Sequence, residues 1–224
     1  MLQVVVSRQY LFWIFISTLF TLMALISLAF PNWMLRTGSE IGRFNPCQIE
    51  EQPAWIGPIV LCDSYCTSTT VQFRCSWIWQ DVLISRSGKK NIMDKITFVL
   101  LFSGSCFAIV ANVLVVICSC KRAFKDINTF QVTGVLHFLS AITFIFILLI
   151  WAISWSTIRF RSICGAKSQL FSSPLCKTDW ALFTFCLATI GLIFCGIFSL
   201  IVDKSISNTD VAQHLLIGNQ MNFV

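Results

Sequence analysis

Residues 164–202 read CGAKSQLFSSPLCKTDWALFTFCLATIGLIFCGIFSLIV, and this stretch decides the fold. Its second part, Trp180–Val202, holds no charged residue. At about 20 residues or slightly more, such a run crosses a hydrocarbon core about 30 Å thick as a helix. Its first part is polar and carries two cysteines, Cys164 and Cys176, just ahead of the run. Further out, three more apolar runs lie at Tyr10–Phe30, Ile96–Cys118 and Val132–Trp155. Cys47, Cys62, Cys66 and Cys75 lie between the first two. Four spans put both termini on one side of a membrane. The two cysteine-bearing loops, 31–95 and 156–179, then lie on the other. The predicted fold is an all-α membrane protein: a four-helix transmembrane bundle with a small extracellular antiparallel β-sheet, one domain over residues 1–224.

Composition agrees. The 224 residues are 56% hydrophobic and only 12% charged, against about 25% charged in soluble domains. Mean hydropathy is +0.78. The spans and the long first loop use nearly the whole chain and leave no space for a separate catalytic domain. The net charge of +6 is scattered over loops, which fits solubility and membrane-edge anchoring rather than nucleic-acid binding. The first run reads as a retained span. It is longer than a signal h-region of about 7–15 residues and ends at Phe30-Pro31-Asn32-Trp33, a poor cleavage site.

Charge and cysteine chemistry together set orientation. Lys121, Arg122 and Lys125 crowd the short connection between runs two and three, but Lys89, Lys90, Lys95, Arg159 and Arg161 flank the opposite side. Long loops cross largely regardless of charge. Disulfides persist in oxidising compartments, so the six loop cysteines are placed outside and both termini in the cytoplasm, with the plasma membrane as the expected location. Six loop cysteines without a loop histidine read as disulfides rather than a metal site. A Cys164–Cys176 bridge closes a loop of about 12 residues and is worth up to about 3 kcal/mol. The four first-loop cysteines allow three pairings. Cys106, Cys186 and Cys195 lie within spans as small apolar packers. Cys118 and Cys120 border Lys121 at the end of run two, where juxtamembrane cysteines are candidates for palmitoylation or remain free thiols.

Within the spans, Pro31 stops the first helix, and Trp33 is expected to anchor at the headgroups. Val71–Trp79 alternates polar and apolar residues and reads as a strand of a sheet resting on the bundle. Gly104, Ser105, Ala108 and Ala111 form a small-residue face for close helix approach. Asn112 and His137, the latter about one turn into run three, call for interhelical hydrogen bonds rather than a proton relay. The tail after Asp203 reads as polar and partly mobile, with a short amphipathic helix over Val211–Ile217. Gly-rich phosphate loops, His-Glu-x-x-His, Gly-x-Ser-x-Gly and paired intramembrane carboxylates do not occur. Asp63 and Asp81 read as solvated loop acids, and no enzyme activity, cofactor or metal is expected.

Three features carry a resemblance. Trp33 ends the first span, Gly57 precedes Cys62 in Trp55-Ile-Gly57-Pro-Ile-Val-Leu-Cys62, and Cys75 follows. This resembles the Trp … Gly-Leu-Trp-x-x-Cys … Cys signature of the claudin and peripheral-myelin-protein superfamily, with Pro58 and Ile59 departing from it. The last loop, with Cys164-Gly165, then Cys176, then Trp180-Ala181, resembles the lipoma-HMGIC-fusion-partner-like (LHFPL) tetraspan family. The resemblance implies Cys62–Cys75 as the core bridge, with Cys47–Cys66 as an additional one. It implies a non-enzymatic auxiliary or adaptor subunit of a channel, receptor or adhesion complex, partnered by an integral membrane protein. The alternative is a claudin-like junctional tetraspan that self-associates as a homo-oligomer. Membrane lipid is the remaining expected contact, and nucleic acid is not.

Overall fold

The computed structural model describes residues 8–36, 54–67, 70–77, 92–117, 123–124, 127–156, 158–165 and 175–216. Among the described residues the helices are α1 (Arg8–Ala29), α2 (Ile92–Ile117), α3 (Thr129–Ser154), α4 (Ile158–Cys164) and α5 (Trp180–Leu216). Four of them are long and apolar enough to cross a membrane, over Arg8–Ala29, Lys95–Ile117, Thr129–Ser154 and Trp180–Lys204. Hydrocarbon offers backbone groups no partner, so these runs satisfy their N–H and C=O groups internally as helices. The apolar runs locate all four, with shifts of a few residues at the ends. One difference is larger. α5 does not stop with its apolar run near Val202 but continues unbroken to Leu216, so Val211–Leu216 belongs to the last helix rather than forming a separate one. Helical hydrogen bonding needs no apolar side chains once the nucleus exists.

The strands are β1 (Met34–Arg36), β2 (Ala54–Ile56), β3 (Val60–Thr67), β4 (Thr70–Trp77), β5 (Ala123–Phe124), β6 (Ile127–Asn128) and β7 (Cys176–Thr178). Five form an antiparallel sheet in the order β4-β3-β2-β1-β7, and β5 pairs with β6 in the short connection ahead of α3. The fold is a claudin-like tetraspan: four membrane helices and a small five-stranded sheet.

The described residues group into two compact units. The helix-interior unit lies within Met1–Thr21, Gly104–Ile142 and Ile190–Val224. Its core joins Tyr10 and Trp13 of α1, Val115 of α2, Phe130 of α3 and Val202 of α5. The Trp13 and Phe130 ring centroids lie 5.6 Å apart. α3 and α5 approach closely where two glycines face each other. A Cβ on Gly134 would stand 3.1 Å from the Gly196 carbonyl oxygen, and one on Gly196 would stand 3.1 Å from that of Gly134. This is the small-residue packing that substitutes for a hydrophobic drive between helices in lipid. The face foreseen on α2 is used similarly, with Gly104, Ala108 and Ala111 buried.

The sheet-bearing unit lies within Leu22–Ser103 and Thr143–Thr189. The registers align one row across all five strands: Lys177, Leu35, Trp55, Cys62 and Cys75. Met34, Ala54 and Ile56 are buried, whereas Leu35 and Trp55 are half-buried. On β4 the described side chains of Gln72, Arg74, Cys75, Ser76 and Trp77 are all exposed. Successive strand residues point to opposite faces, so both faces of this part of β4 are open. The alternation therefore marks a strand as far as Trp77, residues 78–79 lying outside the described residues, but not one pressed on the helices.

Candidate functional site: a braced corner and a polar helix interior

In the sheet-bearing unit, the signature residues meet at the end of α1. Pro31 ends that helix, and the chain folds back at once. The Trp33 N–H donates to the Pro31 carbonyl at 2.8 Å, and the Trp33 indole N–H donates to the Ser27 carbonyl at 2.7 Å. The ring packs on Phe185, with centroids 4.9 Å apart, and edge-on to Trp151 at 5.3 Å. Trp33 is fully buried, which corrects the expected headgroup anchor. Its polar atom is satisfied inside the protein, so nothing draws it to the interface. Trp180, 45% exposed at the start of α5, is the amphipathic aromatic that remains accessible there.

Gly57 sits in the turn between β2 and β3, and its N–H donates to the Val60 carbonyl at 2.9 Å. A Cβ at this position would lie 2.8 Å from the Pro31 Cα and 2.9 Å from the Phe30 carbonyl oxygen. Both obstacles are backbone, so only glycine lets the turn lie against the end of α1. Two strands carry the staple: Cys62 and Cys75 are directly opposed and disulfide-bonded, and Trp55 flanks Cys62 on the other side. The paired cysteines, the adjacent tryptophan and the glycine turn thus form one small structure.

The second staple, Cys164–Cys176, joins the end of α4 to β7. Gly165 follows α4 with φ 100°. This is the left-handed C-terminal cap that glycine adopts without a Cβ penalty, which explains the Cys-Gly pair. β7 then pairs with β1, setting Cys176 opposite Arg36, and the chain enters α5. The helix start is capped by the same knuckle. Asp179 N–H donates to Trp33 O at 2.9 Å, and Ala181 N–H donates to Asn32 O at 3.1 Å. The Asp179 carboxylate accepts from the Trp180 N–H at 2.7 Å and from the Asn32 amide at 3.4 Å. These bonds satisfy part of the orphan N–H set that every helix start carries. Ala181 is fully buried, as a position with this close a backbone approach requires.

The helix-interior unit holds the polar residues. His137 is fully buried and lies about two turns into α3, deeper than the apolar run alone implies, because α3 begins at Thr129. Ser17 of α1 meets its Nε2 at 2.7 Å. The Thr18 hydroxyl donates to the Asn112 side-chain oxygen at 3.1 Å, joining α1 to α2. Both interhelical bonds called for by the sequence exist. Three more had no visible signal beyond residue type. Trp13 donates to the Cys195 carbonyl at 3.1 Å, Tyr10 to the Val115 carbonyl at 2.7 Å, and Ser140 to the Gly104 carbonyl at 3.0 Å. Cys106 and Cys186 are partly buried, and Cys195 is buried.

Cys47, Cys118 and Cys120 lie outside the described residues, as does any Cys47–Cys66 bridge; the backbone of Cys66 lies on β3 opposite Val71. Among the described residues no cluster of three histidine, cysteine or acidic side chains gathers as a metal site.

The four spans, the five-stranded sheet and the two disulfide staples among the described residues define a tetraspan membrane protein of the claudin-like kind. The family model of the lipoma HMGIC fusion partner-like protein matches residues 9–204, and the chain belongs to that family. Comparison with individual curated proteins gives no match.

Proposed function

We propose that this tetraspan is a non-enzymatic auxiliary or adaptor subunit of a channel, receptor or adhesion complex. It acts at the plasma membrane with cytoplasmic termini, and its four spans and sheet work as one membrane domain. The observation that supports the reading most directly is the character of β4. The strand is fixed covalently through Cys62–Cys75, yet it offers exposed Arg74, Ser76 and a 47% exposed Trp77. A rigid strand with an outward tryptophan and arginine carries the residue types that dominate binding hot spots. Its ordering cost is already met before association. The partner in this reading is an integral membrane protein whose outer region meets β4.

The test is purification in mild detergent with mass spectrometry of the associated proteins. A single membrane partner recovered in near-stoichiometric amount is expected. Arg74→Glu with Trp77→Ala should release it while leaving surface delivery intact. Recovery of the chain alone, together with continuous intramembrane strands on expression in strand-free cells, would instead identify a self-associating junctional protein.

A further inference from the structure

In the helix-interior unit, two fully enclosed polar atoms stand out. His137 Nδ1 and Thr21 Oγ1 are buried and have no hydrogen-bond partner among the described residues. Ser17 relates the two positions. Thr21 lies one helical turn beyond Ser17 on α1, and residues four apart share a helix face. Ser17 in turn holds the other nitrogen of the His137 ring at 2.7 Å. His137 is 0% and Thr21 2% exposed, so lipid headgroups and bulk solvent reach neither.

The chemistry of the ring narrows the ligand. If the Ser17 hydroxyl donates to Nε2, then Nδ1 carries the proton and needs an acceptor. If Nε2 donates to Ser17, then Nδ1 is a lone pair that needs a donor. The Thr21 hydroxyl can donate and accept. A ligand suited to both tautomers must be small, neutral, and able to donate and accept at once. Leaving such groups unmatched in a low-dielectric interior costs several kcal/mol each. Internal water is the species that meets this demand elsewhere, typically with about three hydrogen bonds to buried polar groups.

We propose that the helix-interior unit binds an ordered water molecule between His137 Nδ1 and Thr21 Oγ1, making α1 and α3 share a hydration site within the membrane span. The water extends the Ser17–His137 contact into a chain: Ser17, imidazole, water, Thr21. A protein donor and acceptor set then holds it from two helices, and its removal would loosen both.

The test uses the full chain in lipid nanodiscs and reads the sign of a substitution. Thr21→Val keeps the shape and removes the hydroxyl. An unmatched hydroxyl would be better replaced by a methyl, so its loss would leave the melting temperature unchanged or raise it. A hydroxyl bonded to water is missed, and a fall of about 2–4 °C is expected. A cryo-EM map that resolves other ordered waters should show density within about 3.2 Å of both atoms. Absence of that density, or an unchanged or raised melting temperature for Thr21→Val, overturns the site.

Discussion

The sheet-bearing unit and the helix-interior unit both fix segments that lie far apart in sequence, but they use different chemistry. In the first, the main links between distant segments are covalent or run through the backbone. Two disulfides, a five-stranded hydrogen-bond ladder and the Asn32 and Trp33 carbonyls at the start of α5 hold it. In the second, the links are side chains: Ser17 to His137, Thr18 to Asn112, Trp13 to Cys195 and Tyr10 to Val115, set around the Gly134–Gly196 approach. The first kind resists water, which competes for side-chain hydrogen bonds. The second suits a span, where interhelical bonds between side chains average about 0.6 kcal/mol and reach about 1.7. One region therefore depends on a few strong ties and the other on many weak ones.

That contrast can be broken most sharply at the disulfides. Cys164→Ser or Cys176→Ser should cost about 2–4 kcal/mol and cause retention before the cell surface, read by surface biotinylation. Normal delivery of both variants would show that the staple is dispensable. Gly57→Ala comes next, at about 1–3 kcal/mol for forced overpacking, because its Cβ meets only backbone. A monodisperse peak on fluorescence size-exclusion with unchanged melting would contradict the close approach. Gly165→Ala should cost about 1–2 kcal/mol through the left-handed conformation alone, measured as a lowered melting temperature. Asn112→Leu should cost least, about 0.6 kcal/mol, with surface delivery intact. A sharper version needs no mutation. Mild reductant should raise hydrogen exchange in β3, β4 and β7 while leaving the His137 region of α3 unchanged. An equal rise in both regions would erase the distinction.

Legibility in sequence follows the same division. The spans were readable because each is a long run of apolar residues, and helix is the structure that a single segment can adopt in lipid. β1, β2 and β7 have three residues each, too few for a period, and they exist through pairing with partners remote in the chain. α4 was concealed for a related reason: its seven residues fall in a stretch that charge and cysteine content mark as a loop. Gly57 and Trp33 were legible as family signature residues, but their physical reasons were not. The Gly57 requirement comes from Phe30 and Pro31, which approach it only in three dimensions. Trp33 looked like an interfacial aromatic because the Ser27 carbonyl that satisfies it lies within the end of α1. Hydropathy also hid the length of α5, since the helix outlasts its apolar run.

The Asn32 and Asp179 side chains that meet at the start of α5 are 147 positions apart in the chain, which imposes an order on biogenesis. When the ribosome has released the first hairpin, β1 has one finished edge and waits for β7. The carbonyls of Asn32 and Trp33 wait equally for the amides of Ala181 and Asp179. A nascent chain cut short before the last span leaves that edge open to pairing with another chain.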